Sequence, residues 1–220
     1  MTTHPLQLAD RLWRWTARHP AWHPGAFGRE VASFVVRTDD ALLLVDPLVT
    51  DDGGGSVLDL LDELAAEAPA VAILVTIPYH ARSAEQLAER LDATIHGHPA
   101  TAKRFTDATR LSEDAAPAGV TAHTIGRPRR YERPVHLPSH RALAFGDAIV
   151  ETGGELRMWV QDKPDARRVA WYRDVFAPTL RPLLDLGVDR VLVTHGEPIL
   201  HDGRSALEAA LDAEPWYHPG

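Results

Sequence analysis

Short apolar runs punctuated by proline, glycine and aspartate set the pattern of this chain. Val31 to Val36 and Ala41 to Val45 are near-continuous apolar runs, joined at Thr38-Asp39-Asp40, and they predict two buried strands. Leu12 to Ala17 alternates large apolar with polar residues, as a half-buried strand does. Asp51 to Gly55 reads as a turn, and Ser56 with Asp59 as the cap of a helix running through Leu64. Val71 to Thr76 predicts another buried strand, stopped at Ile77-Pro78. Ser83 with Gln86 forms a capping-box signature, and Leu87 and Leu91 follow at helical spacing. Further strands are expected at Ala93 to His98, Val120 to Ile125, Val135 to Leu137, Ala142 to Phe145, Glu155 to Val160 and Val191 to Thr194. Helices are expected from Pro99 to Phe105, from Asp165 to Phe176, from Leu180 to Leu186 with Gly187 as its stop, and from Arg204 to Ala213. The tail from Glu214 reads as irregular. Paired strands followed by alternating strands and helices, in both halves, predict an α/β protein. Its expected architecture is a four-layer αββα sandwich in a single domain over residues 1–220.

Composition narrows the function. A 45% hydrophobic and 25% charged content is that of a soluble globular protein. A net charge of −8 argues against nucleic acid or an anionic membrane as partner. No run reaches the roughly 18 apolar residues of a membrane span, and the opening MTTHPLQLADRLWRW has no apolar signal core, so a cytoplasmic protein with a small-molecule ligand is expected. Cysteine is absent, which removes disulfides and thiolate metal sites and leaves 12 histidines as the abundant soft-metal ligands. Oligomeric state is not encoded in any of these features.

Four landmarks occur in order: LLLVDP at Leu42 to Pro47, the strand-loop-helix at Ile73 to Leu91, AFGDAI at Ala144 to Ile149, and VTHGEP at Val193 to Pro198. In this order and spacing the chain resembles the metallo-β-lactamase superfamily over residues 10–213, which implies the αββα fold and hydrolase chemistry on two zinc ions. The resemblance breaks at the ligands. Where the superfamily reads T-H-x-H-x-D-H, this chain reads Thr76-Ile77-Pro78-Tyr79-His80-Ala81-Arg82, so the ligand positions carry Ile77, Tyr79, Ala81 and Arg82. Where a P-G-H turn supplies another ligand, Ile125-Gly126-Arg127 stands. Asp147 and His195 match surviving ligand positions.

Isoleucine and alanine have no lone pair to offer a metal, and arginine is a fixed cation that repels one. The dinuclear zinc site is therefore expected to be lost, with no cofactor. Zinc returns only if His80, Asp147 and His195 rebuild a mononuclear site, to which His96 could add a ligand. Three functional classes follow. One is a divergent hydrolase-like enzyme acting on a small anionic, ester, lactone or thioester substrate, with Asp147, His195, His80 and Tyr79 as catalytic candidates. In it Arg82 and Arg127, joined by Arg129 or Arg130, receive the anionic group. The second is a non-catalytic member that binds a small molecule or a partner; for the arginines the plain structural alternative is an ion pair in which a guanidinium merely neutralises Asp147. The third is a single-metal hydrolase. His96 and His98, two apart on a strand, share a face in this reading. Trp13, Trp15 and Trp22, with His19 and His23, are candidates for aromatic core or a pocket rim. The run Arg127 to Arg133 is too short for nucleic-acid binding.

Overall fold

The computed structural model describes residues 4–23, 26–50, 55–112, 114 and 116–219. One six-stranded sheet carries the first half of the chain in sequential order: β1 (Leu6–Ala9), β2 (Leu12–Arg18), β3 (Glu30–Arg37), β4 (Leu42–Val45), β5 (Val71–Val75) and β6 (Thr94–Gly97). The strands up to β4 are antiparallel, and β4, β5 and β6 run parallel. Helices α1 (Gly55–Ala66) and α2 (Ala84–Leu91) supply the crossovers.

The second sheet takes β7 (Thr121–Ala122), β8 (Val135–Leu137), β9 (Ala142–Phe145) and, after the hairpin β10 (Ile149–Thr152) and β11 (Glu155–Met158), β12 (Arg190–Val193), in the order β12-β9-β8-β7. Between β11 and β12 lie α3 (Ala166–Trp171), a π turn at Tyr172–Phe176, α4 (Ala177–Leu180) and a 3₁₀ stretch at Arg181–Leu186. Helix α5 (Gly203–Asp212) follows β12.

Three apolar layers hold these parts together. Leu12, Phe34, Leu43 and Leu74 meet Val135, Leu137, Ala144 and Leu192 between the sheets. Trp15, Leu44 and Ile73 pack under α1 and α2 through Leu61 and Leu87. Phe145, Ile149 and Met158 pack under the helical segments through Phe176, Leu180 and Leu207. The result is the expected αββα sandwich. Strands buried on both faces read as unbroken apolar runs, which is why β3, β4, β5, β9 and β12 were legible.

Local details depart from expectation. Ser83 does not cap α2: its hydroxyl accepts from Val49 N at 3.0 Å and donates to Val49 O at 3.3 Å, tying the loop after β4 to the loop after β5. Helix α1 begins at Gly55, one residue before Ser56, and most of the expected Asp51 to Gly55 turn lies outside the described residues. His96 and His98 do not share a strand face. His96 lies in β6 with its Nδ1 on Asp114 O at 3.0 Å, while His98 caps the next 3₁₀ turn by accepting from Ala100 N. Trp15 is core, donating to Leu48 O at 2.8 Å, and Trp13 packs on the helix side, so only Trp22 of the three reaches a cleft. The tail is docked: Trp216 N donates to Met158 O, and Val160 N to Trp216 O, both at 2.8 Å. No helix among the described residues is long and apolar enough to cross a membrane.

Candidate functional site

Two parallel strand pairs aim their C-terminal ends at one place. In the first, Val45 pairs with Leu74, so Asp46 and the Thr76 loop emerge side by side. In the second, Phe145 pairs with Val193. Asp147 and His195 each lie two residues beyond that pair, which brings them together although they are far apart in sequence. Strand ends of this kind open into crevices in α/β sheets.

Asp46 is the anchor. It is 2% exposed, and its backbone sits in the left-handed region at φ 47°. Its carboxylate accepts from Thr76 N at 2.8 Å, Thr76 Oγ1 at 2.5 Å and His80 Nδ1 at 2.8 Å. A carboxylate only accepts, so the His80 proton facing it sits on Nδ1. The other ring nitrogen, Nε2, lies 3.3 Å from Asp147 Oδ1. His80 thus bridges two buried aspartates. Burial and the Arg82 cation oppose a charged ring, but Asp46 and Asp147 outweigh them and hold His80 above its ordinary value.

The loop explains how His80 gets there. Residues Pro78–Ala81 form a 3₁₀ turn in which His80 N donates to Ile77 O at 2.8 Å. This tight turn brings His80 back onto the side facing Asp46. Arg82 then takes φ 37°, ψ −116°, a conformation costly for a side chain with a Cβ. Its Nη1 donates to Asp46 O at 2.9 Å and Ala32 O at 3.4 Å. Arg82 is therefore held by backbone carbonyls and does not neutralise Asp147 directly. That contact belongs to Arg129, whose Nη1 lies 3.5 Å from Asp147 Oδ2 and whose guanidinium covers the Trp159 ring at 4.8 Å.

Asp147 is placed by Glu132. The Glu132 carboxylate, fully buried, accepts from Gly146 N at 2.9 Å, Asp147 N at 3.1 Å and Ala148 N at 3.1 Å. Burial pushes its pKa up to about 7, against the pull of Arg129 and the backbone donors. Gly146 is required here, because a Cβ would sit 2.6 Å from Thr76 Oγ1, where the two sheets touch. Asp147 itself is held well below the usual carboxylate range; burial opposes this, and His80, Arg129 and His195 overcome it.

His195 Nε2 stands 3.7 Å from Asp147 Oδ1, and its ring lies against Phe27 at 4.7 Å. Burial lowers its pKa to about 4, so the ring is neutral at pH 7. Gly28, at φ 64°, lies against the other nitrogen: a Cβ there would stand 2.6 Å from His195 Nδ1. These groups open on a cleft of ≈ 540 Å³ whose wall also includes Trp22, Phe27 and His218. Four polar side-chain atoms on this one cleft are buried without a hydrogen-bond partner in the structure: Arg82 Nε, Arg129 Nε, Trp159 Nε1 and His195 Nδ1. Buried polar groups in proteins are ordinarily satisfied by protein or by ordered water, so such a cluster singles out this cleft as the candidate site.

Solved structures match this architecture over nearly the whole chain. A metallo-beta-lactamase from Erythrobacter litoralis, with beta mercaptoethanol in its active site, shares 20% identity at a TM-score of 0.65, covering 96% of this chain and 95% of its own. The chain has the metallo-β-lactamase fold. VMB-1 shares 15% identity at a TM-score of 0.60, with 96% and 95% covered. A metallo-beta-lactamase family protein from Thermus thermophilus shares 17% at 0.57, with 94% and 80% covered. No family model and no curated protein matches the sequence.

Zinc chemistry usually accompanies this metallo-β-lactamase fold, so the donor set bears on function. Among the described residues no group of three or more histidine, aspartate or glutamate side chains is disposed to hold a metal ion. His80, Asp147 and His195 converge, but the guanidinium groups of Arg82 and Arg129 line the same cleft. The residues present do not fit the dinuclear zinc group.

The remaining sequence candidates separate. Tyr79 stands at the cleft mouth, 68% exposed, with the Arg104 guanidinium 4.5 Å over its ring. Arg127 lines a different cavity, so the arginine of the cleft in that segment is Arg129. The anchoring roles of Asp46 and Glu132 were not legible. Asp46 stood out only as part of the Leu42 to Pro47 landmark, with nothing to pair it with His80, and one glutamate inside a basic run carries no spacing signal.

The site makes stability depend on pH in two opposing ways. Unfolded histidine takes its proton near 6.5, whereas folded His195 waits until about 4. Its contribution is therefore full above about 6.5 and lost as pH falls toward 4, about 2 kcal/mol of it by pH 5. Folded Glu132, raised to about 7, has the opposite sign: its contribution is full below about 4.5 and lost as pH rises through 7. His195→Gln should consequently gain stability relative to wild type, by about 2 kcal/mol, between pH 7 and pH 5. Urea unfolding at both pH values measures this; parallel behaviour of the two proteins would show that His195 is not held neutral.

Proposed function

We propose that this cleft binds a small anionic substrate and hydrolyses an ester, lactone or thioester bond without a dinuclear zinc site. The observation that carries this reading is the set of four partnerless buried polar atoms around one cleft. Arg82 Nε and Arg129 Nε are free donors for a carboxylate, or for the oxyanion that develops on a carbonyl under attack. His195 Nδ1 is a free acceptor on a neutral ring, the form a general base needs. In this reading the attacking water gives its proton to His195 Nδ1, against which Gly28 presents no side chain. Once His195 Nδ1 has taken the proton of that water, the Nε2–H faces Asp147 and the new cation is balanced. His80, charged between Asp46 and Asp147, fixes the Asp147 side chain. A cytoplasmic setting and a soluble small-molecule partner belong to the same reading.

The test is a panel of p-nitrophenyl esters, lactones and thioesters, assayed after chelation, with elemental analysis of the same preparation. Turnover should survive chelation with less than about one zinc per chain. Asp147→Asn and His195→Gln should each lower kcat/KM about tenfold or more, with circular dichroism reporting an intact fold. Undiminished turnover in both variants, or activity that follows a stoichiometric metal, would refute the proposal. Turnover with no metal-held hydroxide also predicts a rate that climbs with pH through the His195 titration and then levels.

A further inference from the structure

We infer that a second cavity, next to the cleft, binds a phosphate-bearing small molecule. It is an open concavity of ≈ 760 Å³ lined by the exposed side chains of Arg127, Arg130, Lys163, Arg167 and Arg168, with Asp165 as its one carboxylate. This concentration of cations occurs in a chain of net charge −8. Several arginines elsewhere are matched: Arg37 with Glu67, Arg90 with Asp62, Arg141 with Asp189 and Arg181 with Asp212. In the cavity they are not. Arg127, Lys163 and Arg167 have no ion-pair or hydrogen-bond partner among the described residues. Arg168 comes only within 4.0 Å of Asp162, and Arg130 is turned to its neighbour Tyr131. Asp165 Oδ1 is already occupied by the Arg168 backbone N–H at 2.7 Å.

Like charges gathered around a concavity repel one another until a counter-ion enters. Guanidinium groups suit a tetrahedral polyanion, because each presents a fork of donors to two oxygens, and an ammonium adds a point charge. The cavity also has an apolar wall. Trp171 is held by stacking on Phe176, centroids 6.5 Å apart and planes within 6°, so its indole is fixed beside the cations. Phosphate against the arginines and an organic part against Trp171 is the occupant this chemistry fits. A nucleic-acid strand fits poorly, since it needs a basic stripe rather than one concavity on an acidic protein.

The two sites share a partition. Arg127 and Arg130 line the second cavity while Arg129, between them, lines the cleft. Tyr172, on the cavity side, donates its hydroxyl to Trp159 O at 3.3 Å, on the cleft side. Binding here does not depend on the catalytic reading.

The experiment is calorimetric titration of the whole protein with inorganic pyrophosphate at low salt, with sulfate as a second probe. Saturable binding to one site per chain is expected, tighter than for sulfate. The double variant Arg127→Ala/Arg167→Ala should weaken it about tenfold, and both residues are exposed, so folding is not at risk. The double variant Arg141→Ala/Arg181→Ala, which removes equal charge elsewhere, should leave it within about twofold. No saturable binding, equal affinity for sulfate, or equal weakening by both double variants would overturn the inference. So would binding of a single-stranded oligonucleotide in the absence of pyrophosphate binding.

Discussion

Replacing Asp46 with alanine should lower the unfolding free energy by about 3–5 kcal/mol, because it leaves a buried cation without one of its two partners. The side chain makes three hydrogen bonds, to Thr76 N, Thr76 Oγ1 and His80 Nδ1, in a place 2% exposed. Alanine would orphan an amide, a hydroxyl and an imidazolium at once, and each orphaned group costs about 1–3 kcal/mol. The backbone adds to this, since φ 47° is tolerated by aspartate and asparagine far better than by alanine. Asp46→Asn is the informative comparison. It keeps the shape, the left-handed preference and one acceptor, and should cost roughly half as much. Urea unfolding at pH 7 distinguishes the cases. A loss below about 1 kcal/mol for the alanine variant would mean that His80 is not held between the two aspartates.

Glu132→Ala should have a comparable effect, about 3 kcal/mol or more, through a different route. Three consecutive backbone N–H groups, of Gly146, Asp147 and Ala148, converge on one buried carboxylate. Those amides belong to the turn that carries Asp147 into the cleft, so both stability and the placement of Asp147 depend on Glu132. Glu132→Gln retains an oxygen acceptor and the packing volume and should cost only about 1 kcal/mol at pH 7. It should also erase the stability change that Glu132 imposes between pH 4.5 and 7, since an amide does not titrate there. Thermal unfolding of the three proteins at pH 5 and pH 7.5 measures both effects. Equal loss in the alanine and glutamine variants would assign the role to charge rather than to the amides.

Much of the sandwich could be read from one dimension. Val71 to Val75 and Arg190 to Val193 are buried strands whose apolar runs need no partner to identify them. Asp147 and His195 could be picked out because each follows such a run and because the family resemblance matches both to ligand positions. Others could not. Strand β10, Ile149–Thr152, directly follows the Asp147 turn and its pattern is too short to separate from it. The expected helix from Asp165 to Phe176 changes to a π turn at Tyr172 after only six α-helical residues. Periodicity over so few residues does not distinguish three helix pitches.

Sequence by itself determined that this chain is an αββα sandwich, that the usual zinc-ligand positions hold Ile77, Tyr79, Ala81 and Arg82, and that Asp147 and His195 stand at strand ends. The strand ends follow from local patterns of side chains along the backbone; the sandwich and the ligand positions follow from those patterns together with the resemblance to the metallo-β-lactamase superfamily. Only the tertiary structure decided which cations meet which anions. A 3₁₀ turn carries His80, rather than Arg82, between the two aspartates, and a buried glutamate hands Asp147 to Arg129 while Arg127 faces another cavity. Charge pairing of this kind depends on distances across the gap between two sheets, and residue spacing along a chain does not contain those distances.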